Sequence, residues 1–193
     1  SYNRIQVLRQ QGYKIAVYMP TFRESRRDAL SDGALDLTRL AAFGAQNKIA
    51  FVLKSHFNTS GADILSAKNL VLYDNAKDIY PALPLADLLI TDYSSVFFDF
   101  LLLDKPIVFF PYDYEKYVRE DRGMVYEYDT LIPGPKGITQ QEMEHAIVEV
   151  FRDGLDRYAD KRREVRALFW AYEDGRSCER LSQLIAECMQ RGG

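Results

Sequence analysis

Cysteine is scarce: Cys178 and Cys188 are the whole supply in 193 residues. Ten positions apart on one helix, they would stand about 15 Å from each other, outside disulfide reach. Both are expected as reduced thiols, in keeping with a cytosolic setting. Histidine is as scarce, with two. That leaves no zinc spacing, and no cofactor is expected; metal dependence stays open, since Asp92 could hold a metal but no cluster of carboxylates supports one. Long apolar runs are absent, so no membrane-spanning helix is expected, and no signal peptide is legible. Charge of one sign is lacking too, with a formal net charge of −3. This argues against nucleic-acid binding driven by bulk charge. There are no repeats and no low-complexity segments. What is present is 47% hydrophobic residues, enough for one well-packed core. Ser1 already falls in a helical pattern, which suggests a piece of a longer protein.

The chain is organised around residues 86–111, ADLLITDYSSVFFDFLLLDKPIVFFP. Leu88-Leu89-Ile90 is short and apolar, as a buried strand is. Thr91-Asp92-Tyr93-Ser94-Ser95 interrupts it. A run of helical length follows over Val96–Leu103, then a second buried strand, Ile107–Phe110, closed by Pro111. Strand, polar turn, helix and strand make one βαβ unit of a parallel sheet. The turn lies at the carboxyl end of a strand and the amino end of a helix, where α/β sheets bind ligands and backbone N–H groups favour anions. The residues read as a phosphate or pyrophosphate cradle. Asp92, Ser94 and Ser95 are equally ordinary helix caps, and the local pattern leaves both readings open.

The same strand-end position recurs. Tyr13–Met19 is a strand stopped by Pro20 and followed by Thr21-Phe22-Arg23. Lys48–Leu53 is another, followed by Lys54-Ser55-His56-Phe57-Asn58. Leu70–Tyr73 reads as a short strand, Ala62–Ala67 and Leu35–Ala45 as helices, and residues 112–119 as a helix or turn. Pro81 and Pro84 shorten or kink any helix between Tyr80 and Ala86. Residues 131–137, dense in Pro and Gly, read as a rigid loop whose backbone can approach a ligand. Thr139-Gln140-Gln141-Glu142 fits a capping box, opening a helix to about Arg152. A second covers Arg157–Ala171. A third starts at Asp174–Ser177, with Leu181, Leu184 and Ile185 on one face.

In order along the chain, MPTFR, KSH, TDYSSVFFDF, KPIVFF and DGRSCER resemble the CDP-glycerol glycerophosphotransferase family, whose members prime or polymerise poly(glycerol phosphate) as in teichoic acids. The likeness runs from about Tyr13 to Arg180. Two departures stand out: KSH replaces the commoner KPH, and Ser177-Cys178 replaces an Ala-Ser order. The resemblance implies an α/β fold, a Rossmann-like parallel sheet with helices on both faces. It would be one lobe of a GT-B type transferase, with a βα core over 13–138 and C-terminal helices over 139–193. The amino-terminal acceptor lobe is expected to be absent.

The implied chemistry is transfer of glycerol phosphate from CDP-glycerol to a hydroxyl of a lipid-linked acceptor, with release of CMP. By position, His56 becomes the phosphate-contacting or acid/base residue, against the alternative of a structural histidine. Thr21, Arg23, Lys54, Thr91, Asp92, Ser94, Ser95 and Ser177 become the donor and phosphate site. Asp92 reads as organiser of its loop, Asp99 as structural, and Ser177 equally as a plain N-cap. The implied setting is the inner face of the cell membrane, with peripheral contact at most. Arg152, Arg157, Arg162, Arg163 and Arg166 could touch anionic lipid, although interspersed acids favour a solvated surface. A CDP-ribitol or nucleotide-sugar donor, and a scaffolding lobe without catalysis, remain alternatives. A receiver domain fits poorly, because Met19-Pro20-Thr21 lacks paired acids.

Overall fold

A computed structural model describes residues 1–23, 29–54, 67–121, 124, 126–152 and 156–191. Among them, β1 (Lys14–Tyr18), β2 (Ile49–Leu53), β3 (Leu70–Leu72), β4 (Leu88–Thr91) and β5 (Ile107–Phe109) form one parallel sheet in the order β3-β2-β1-β4-β5. Val17 of β1 pairs with Val52 of β2 on one side and Leu89 of β4 on the other. Nearly every strand residue is buried, because both sheet faces are covered.

Alternate residues divide between two cores, as the period of a strand requires. Ile15, Val17, Val52, Leu89, Ile107 and Phe109 face one way. They pack with Ile5 and Leu8 of α1 (Tyr2–Gln10), Phe97 and Phe100 of α3 (Val96–Phe100), and Val165 of α7 (Ala159–Phe169). Ala16, Tyr18, Phe51, Leu53, Ile90 and Val108 face the other way. There they meet Leu37 and Leu40 of α2 (Leu37–Asn47) and Met143 and Ile147 of α6 (Gln140–Arg152). The order runs outward from β1 in both directions. Right-handed crossovers then put α2 and α3 on opposite faces, and the topological switch point falls between β1 and β4.

Local chemistry sets the element ends. Asp36 caps α2, its Oδ1 accepting from the N–H groups of Thr38 and Arg39. Lys48, expected inside a strand, instead takes a left-handed conformation (φ 57°) that closes α2 one residue before β2 begins. The two prolines leave a 3₁₀ turn over Tyr80–Leu85, and two short helices, α4 (Tyr114–Lys116) and α5 (Tyr128–Leu131), lie between β5 and α6. The capping box forms as expected: Glu142 accepts from the Ile138 and Thr139 N–H groups, and the Thr139 hydroxyl accepts from Glu142 N–H.

The loop over residues 131–137 spends part of its backbone on β5. Phe109 N–H donates to Pro135 O, Gly137 N–H donates to Phe109 O, and Lys136 bridges to Phe109. The loop thus covers the exposed edge of β5. Gly134 passes so close that a Cβ there would stand 1.9 Å from Ile107 O.

After α6 and α7 close the two faces, α8 (Ser177–Arg191) stands apart. Its face of Leu181, Leu184, Ile185 and Met189 is 58%, 57%, 52% and 75% exposed. Among the described residues, no helix is long and apolar enough to cross a membrane.

Candidate functional site

Three strand ends converge at the switch point. After β1 come Thr21 and Arg23; after β4, Asp92 and Tyr93; after β5, Tyr112 and Asp113. Thr91 is wholly buried and donates its hydroxyl to Met19 O at 2.7 Å, joining the ends of β4 and β1. Asp92, 1% exposed, is the centre of the junction. Its Oδ1 accepts from Thr21 N–H (2.8 Å), the Thr21 hydroxyl (2.7 Å) and Tyr93 N–H (2.6 Å). Its Oδ2 accepts from Arg23 Nη2 at 2.8 Å.

Arg23 is itself 4% exposed. Its Nε and Nη2 form a two-pronged pair with Asp113 Oδ2 and Oδ1 at 2.9 and 2.8 Å, and Nη1 donates to Thr21 O. The rings of Tyr93, Tyr112 and Tyr117 wall the guanidinium at 5.3, 5.7 and 5.2 Å. Tyr93 stacks on Tyr117, and the Tyr128 hydroxyl donates to Asp92 O. Burial opposes the Arg23 charge, but the hydrogen bond to Asp113 and the attraction of Asp92 outweigh it. The guanidinium is therefore held protonated more firmly than an exposed one. Burial, with the two carboxylates added, pushes the Tyr93 phenol far above its ordinary range.

The residues expected to hold phosphate are thus differently placed. Arg23 is turned onto two carboxylates, and Thr21 and Thr91 fasten the loops to one another. Asp92 is the organiser of its loop. Lys54 donates its ammonium to three backbone carbonyls, those of Asp74, Asn75 and Lys77, at 3.0–3.2 Å, and so ties β2 to the turn after β3. Ser94 is half-buried and Ser95 exposed, both at the amino end of α3, and Ser95 makes no capping bond with its side chain. Ser177 begins α8, within 3.5 Å of Arg180 Nη2, and no described contact joins it to the crevice. His56 lies outside the described residues, as do Ser55, Phe57, Asn58 and residues 62–66 of an expected helix.

Asp99 accepts from the Tyr80 hydroxyl at 2.6 Å, and that bond, with burial, pushes the phenol up to about 12. Of the arginines that could touch anionic lipid, Arg162 is buried against Asp156 and Asp104, Arg163 pairs with Asp160, and Arg166 pairs with Glu173. Among the described residues, no group of three or more His, Cys, Asp or Glu side chains could hold a metal ion. An open cleft of about 580 Å³ adjoins the junction beyond β5, walled by Tyr112, Tyr114 and Tyr128 and edged by Lys116 and Lys136. Asp113 is not among the site residues expected from the sequence, although the Tyr112-Asp113 pair after its strand is family-like. The signal was there: Tyr112-Asp113 follows a strand end, as Thr21 and Asp92 do.

Residues 4–187 match the family described as CDP-Glycerol:Poly(glycerophosphate) glycerophosphotransferase. The chain belongs to that family. Among the family's curated members, a teichoic acid glycerol-phosphate transferase of Staphylococcus aureus is 29% identical, over 89% of this chain and 45% of its own length. A teichoic acid ribitol-phosphate primase of Bacillus spizizenii is 31% identical, over 93% of this chain and 45% of its own. The solved wall teichoic acid polymerase TagF superposes with a TM-score of 0.73 at 24% identity, covering 98% of this chain and 48% of that chain. The fold is therefore a GT-B type α/β lobe, and the chain spans less than half the length of these relatives.

Proposed function

We propose that this lobe binds the CDP-activated polyol donor of a polyol-phosphate transfer. The observation that carries the reading is the family match over residues 4–187. The TDYSS segment follows β4 at the β1/β4 switch point, the position at which open α/β sheets receive ligands, and this supports the reading.

In the reaction, an acceptor hydroxyl attacks the β-phosphorus of CDP-glycerol. The new O–P bond forms, the bond to the CMP oxygen breaks, and the hydroxyl proton passes to a base. The resemblance gives that role, or contact with the phosphate, to His56. The Ser94 and Ser95 hydroxyls and the amino end of α3 supply hydrogen-bond donors toward the phosphoryl oxygens. The junction beneath holds one guanidinium against two carboxylates. Positive charge for the transition state must therefore come from beyond Arg23 and Lys54. An acceptor-binding lobe in the same polypeptide is part of this reading, as are a lipid-linked acceptor and work at the inner membrane face.

Calorimetry with CDP-glycerol, CDP, CMP and UDP tests the proposal, on the wild type and on His56→Ala. Cytidine-selective binding that weakens in the variant supports it. UDP or a UDP-sugar binding more tightly than CDP would replace it with a nucleotide-sugar lobe. Silence from every nucleotide, in a polypeptide that also carries an acceptor lobe, would leave a scaffolding lobe. CDP-ribitol belongs in the same series, because relatives are named for both polyols.

A further inference from the structure

Among the described residues, Arg23 is the one cation enclosed at the junction, and its described partners turn it away from contact with a ligand. Four of its five N–H groups are engaged: one by Thr21 O, one by Asp92 and two by Asp113. Its side chain is 3% exposed, and tyrosine rings close over it. Its partners are the informative part. Asp92 Oδ2 holds Arg23, and the other oxygen of the same carboxylate holds the Thr21 and Tyr93 N–H groups. Tyr93 N–H is the peptide that leads into Ser94 and Ser95. Asp113, at the far end of the guanidinium, starts the loop after β5 and also accepts from the Tyr93 hydroxyl at 3.2 Å. A planar fork that pairs with two carboxylates fixes direction as well as distance, which a lysine cannot reproduce. Low local dielectric stiffens a network whose members are satisfied.

We propose that Arg23, Asp92 and Asp113 form a positioning clamp, which holds the Ser94–Ser95 turn at a set height over the crevice and thereby sets how well the lobe grips a ligand's phosphate groups, without any of the three touching that ligand. The proposal rests on the donor-binding reading above. It assigns Arg23 and Asp113 as positioning residues and explains why a cation at the strand edge is turned away from solvent. The clamp acts on the phosphate part of the ligand and leaves the nucleoside part alone.

The test uses the double variant Arg23→Gln/Asp113→Asn, which removes those two charges together and leaves Asp92 as the one carboxylate of the clamp without its cation. Arg23→Lys is the second variant, keeping the charge without the fork, in case the double variant does not fold. Two readouts are taken on each folded variant. The first is the ratio of CDP to cytidine affinity by calorimetry. The second is amide hydrogen exchange at residues 93–96, with Ala50 in β2 as internal reference. The expected result is a fall of tenfold or more in the CDP-to-cytidine ratio, with cytidine affinity unchanged, and exchange at 93–96 at least tenfold faster while Ala50 keeps its rate. A ratio that stays at the wild-type value overturns the clamp, whatever the melting temperature does. So does unchanged exchange at 93–96. Wild-type protein that binds neither ligand even in a polypeptide that also carries an acceptor lobe refutes the donor reading and with it the effect on affinity, while the exchange arm still decides whether Arg23 holds the turn.

Discussion

The Arg23 junction and helix α8 invert the usual distribution of residues in opposite ways. The junction buries an arginine and an aspartate, Asp92, with a second aspartate, Asp113, half-buried at its rim; α8 exposes two leucines, an isoleucine and a methionine. Burying a charge is costly unless it is paired and hydrogen-bonded. The junction meets that condition: both oxygens of each carboxylate have donors, and the guanidinium has a flat aromatic enclosure. In α8 the condition for stability is unmet within the described residues, because its apolar face has no cover. Among the described residues, one region is complete and the other is not. Internal satisfaction, more than polarity, separates a structural element from an open one.

The sharpest way to break the comparison is to remove the cation. Arg23→Ala leaves Asp92 and Asp113 beside each other with no counter-charge. We expect a loss of about 3–5 kcal/mol, as for one partner removed from a buried ion pair, read as a shift of the urea midpoint. A loss below about 1 kcal/mol would mean that water reaches the junction and that burial overstates its closure.

Arg162 provides the intermediate case. It is fully buried and pairs with Asp156 and Asp104, but those partners are 34% and 43% exposed and its Nε has no hydrogen-bond partner. The carboxylates can rehydrate once the arginine is gone, and a methionine fills much the same volume. Arg162→Met is therefore expected to cost about 1–2 kcal/mol, clearly less than Arg23→Ala in the same urea series. Equal costs would show that partner exposure does not matter here.

Most of the fold was legible from period and punctuation. Short apolar runs ended by Pro20, Thr91 and Pro111 gave β1, β4 and β5, and Thr139 with Glu142 gave the start of α6 to the residue. The candidate site was legible as a place, less so as a set of contacts. A strand-end position says that Thr21, Arg23, Lys54 and Asp92 gather at one sheet edge. It does not say which way a long side chain turns there. Arg23 turned inward because Asp113, ninety residues later in the chain, meets it, and Lys54 folded onto three carbonyls of a neighbouring loop. These pairings are tertiary and leave no local pattern. The same limit applies to α8: periodicity marks an apolar face but carries no information about what covers it.

A smaller effect concerns how α8 starts. Asp174 accepts from the Arg180 guanidinium and from Arg176 N–H, and these hydrogen bonds, the Arg180 one largest, draw its carboxyl down to about 2. The sign follows from the depressed value. The contribution is fully present above the ordinary aspartate range, near 4, and is lost as pH falls through about 2. Between those values the first turn of α8 keeps its anchor while ordinary carboxylates are already protonated. Carbon-detected NMR titration of Asp174 is expected to show a midpoint near 2; a midpoint near 4 would mean that Arg180 does not hold it in solution.

The smallest expected effect is the most telling about α8. Leu184 and Ile185 are both more than half exposed, so polar replacement removes little buried area. Leu184→Ser and Ile185→Ser are expected to change the stability of this chain by no more than about 0.5 kcal/mol each. A buried leucine or isoleucine cut back this far would cost about 2–5 kcal/mol. The same urea series used for Arg23→Ala separates the two regimes without ambiguity. A loss above about 2 kcal/mol would place a cover on the apolar face, in the same chain or in a second copy. Repeating the midpoint at tenfold lower protein concentration tells these apart, since only stabilisation by a second copy weakens on dilution.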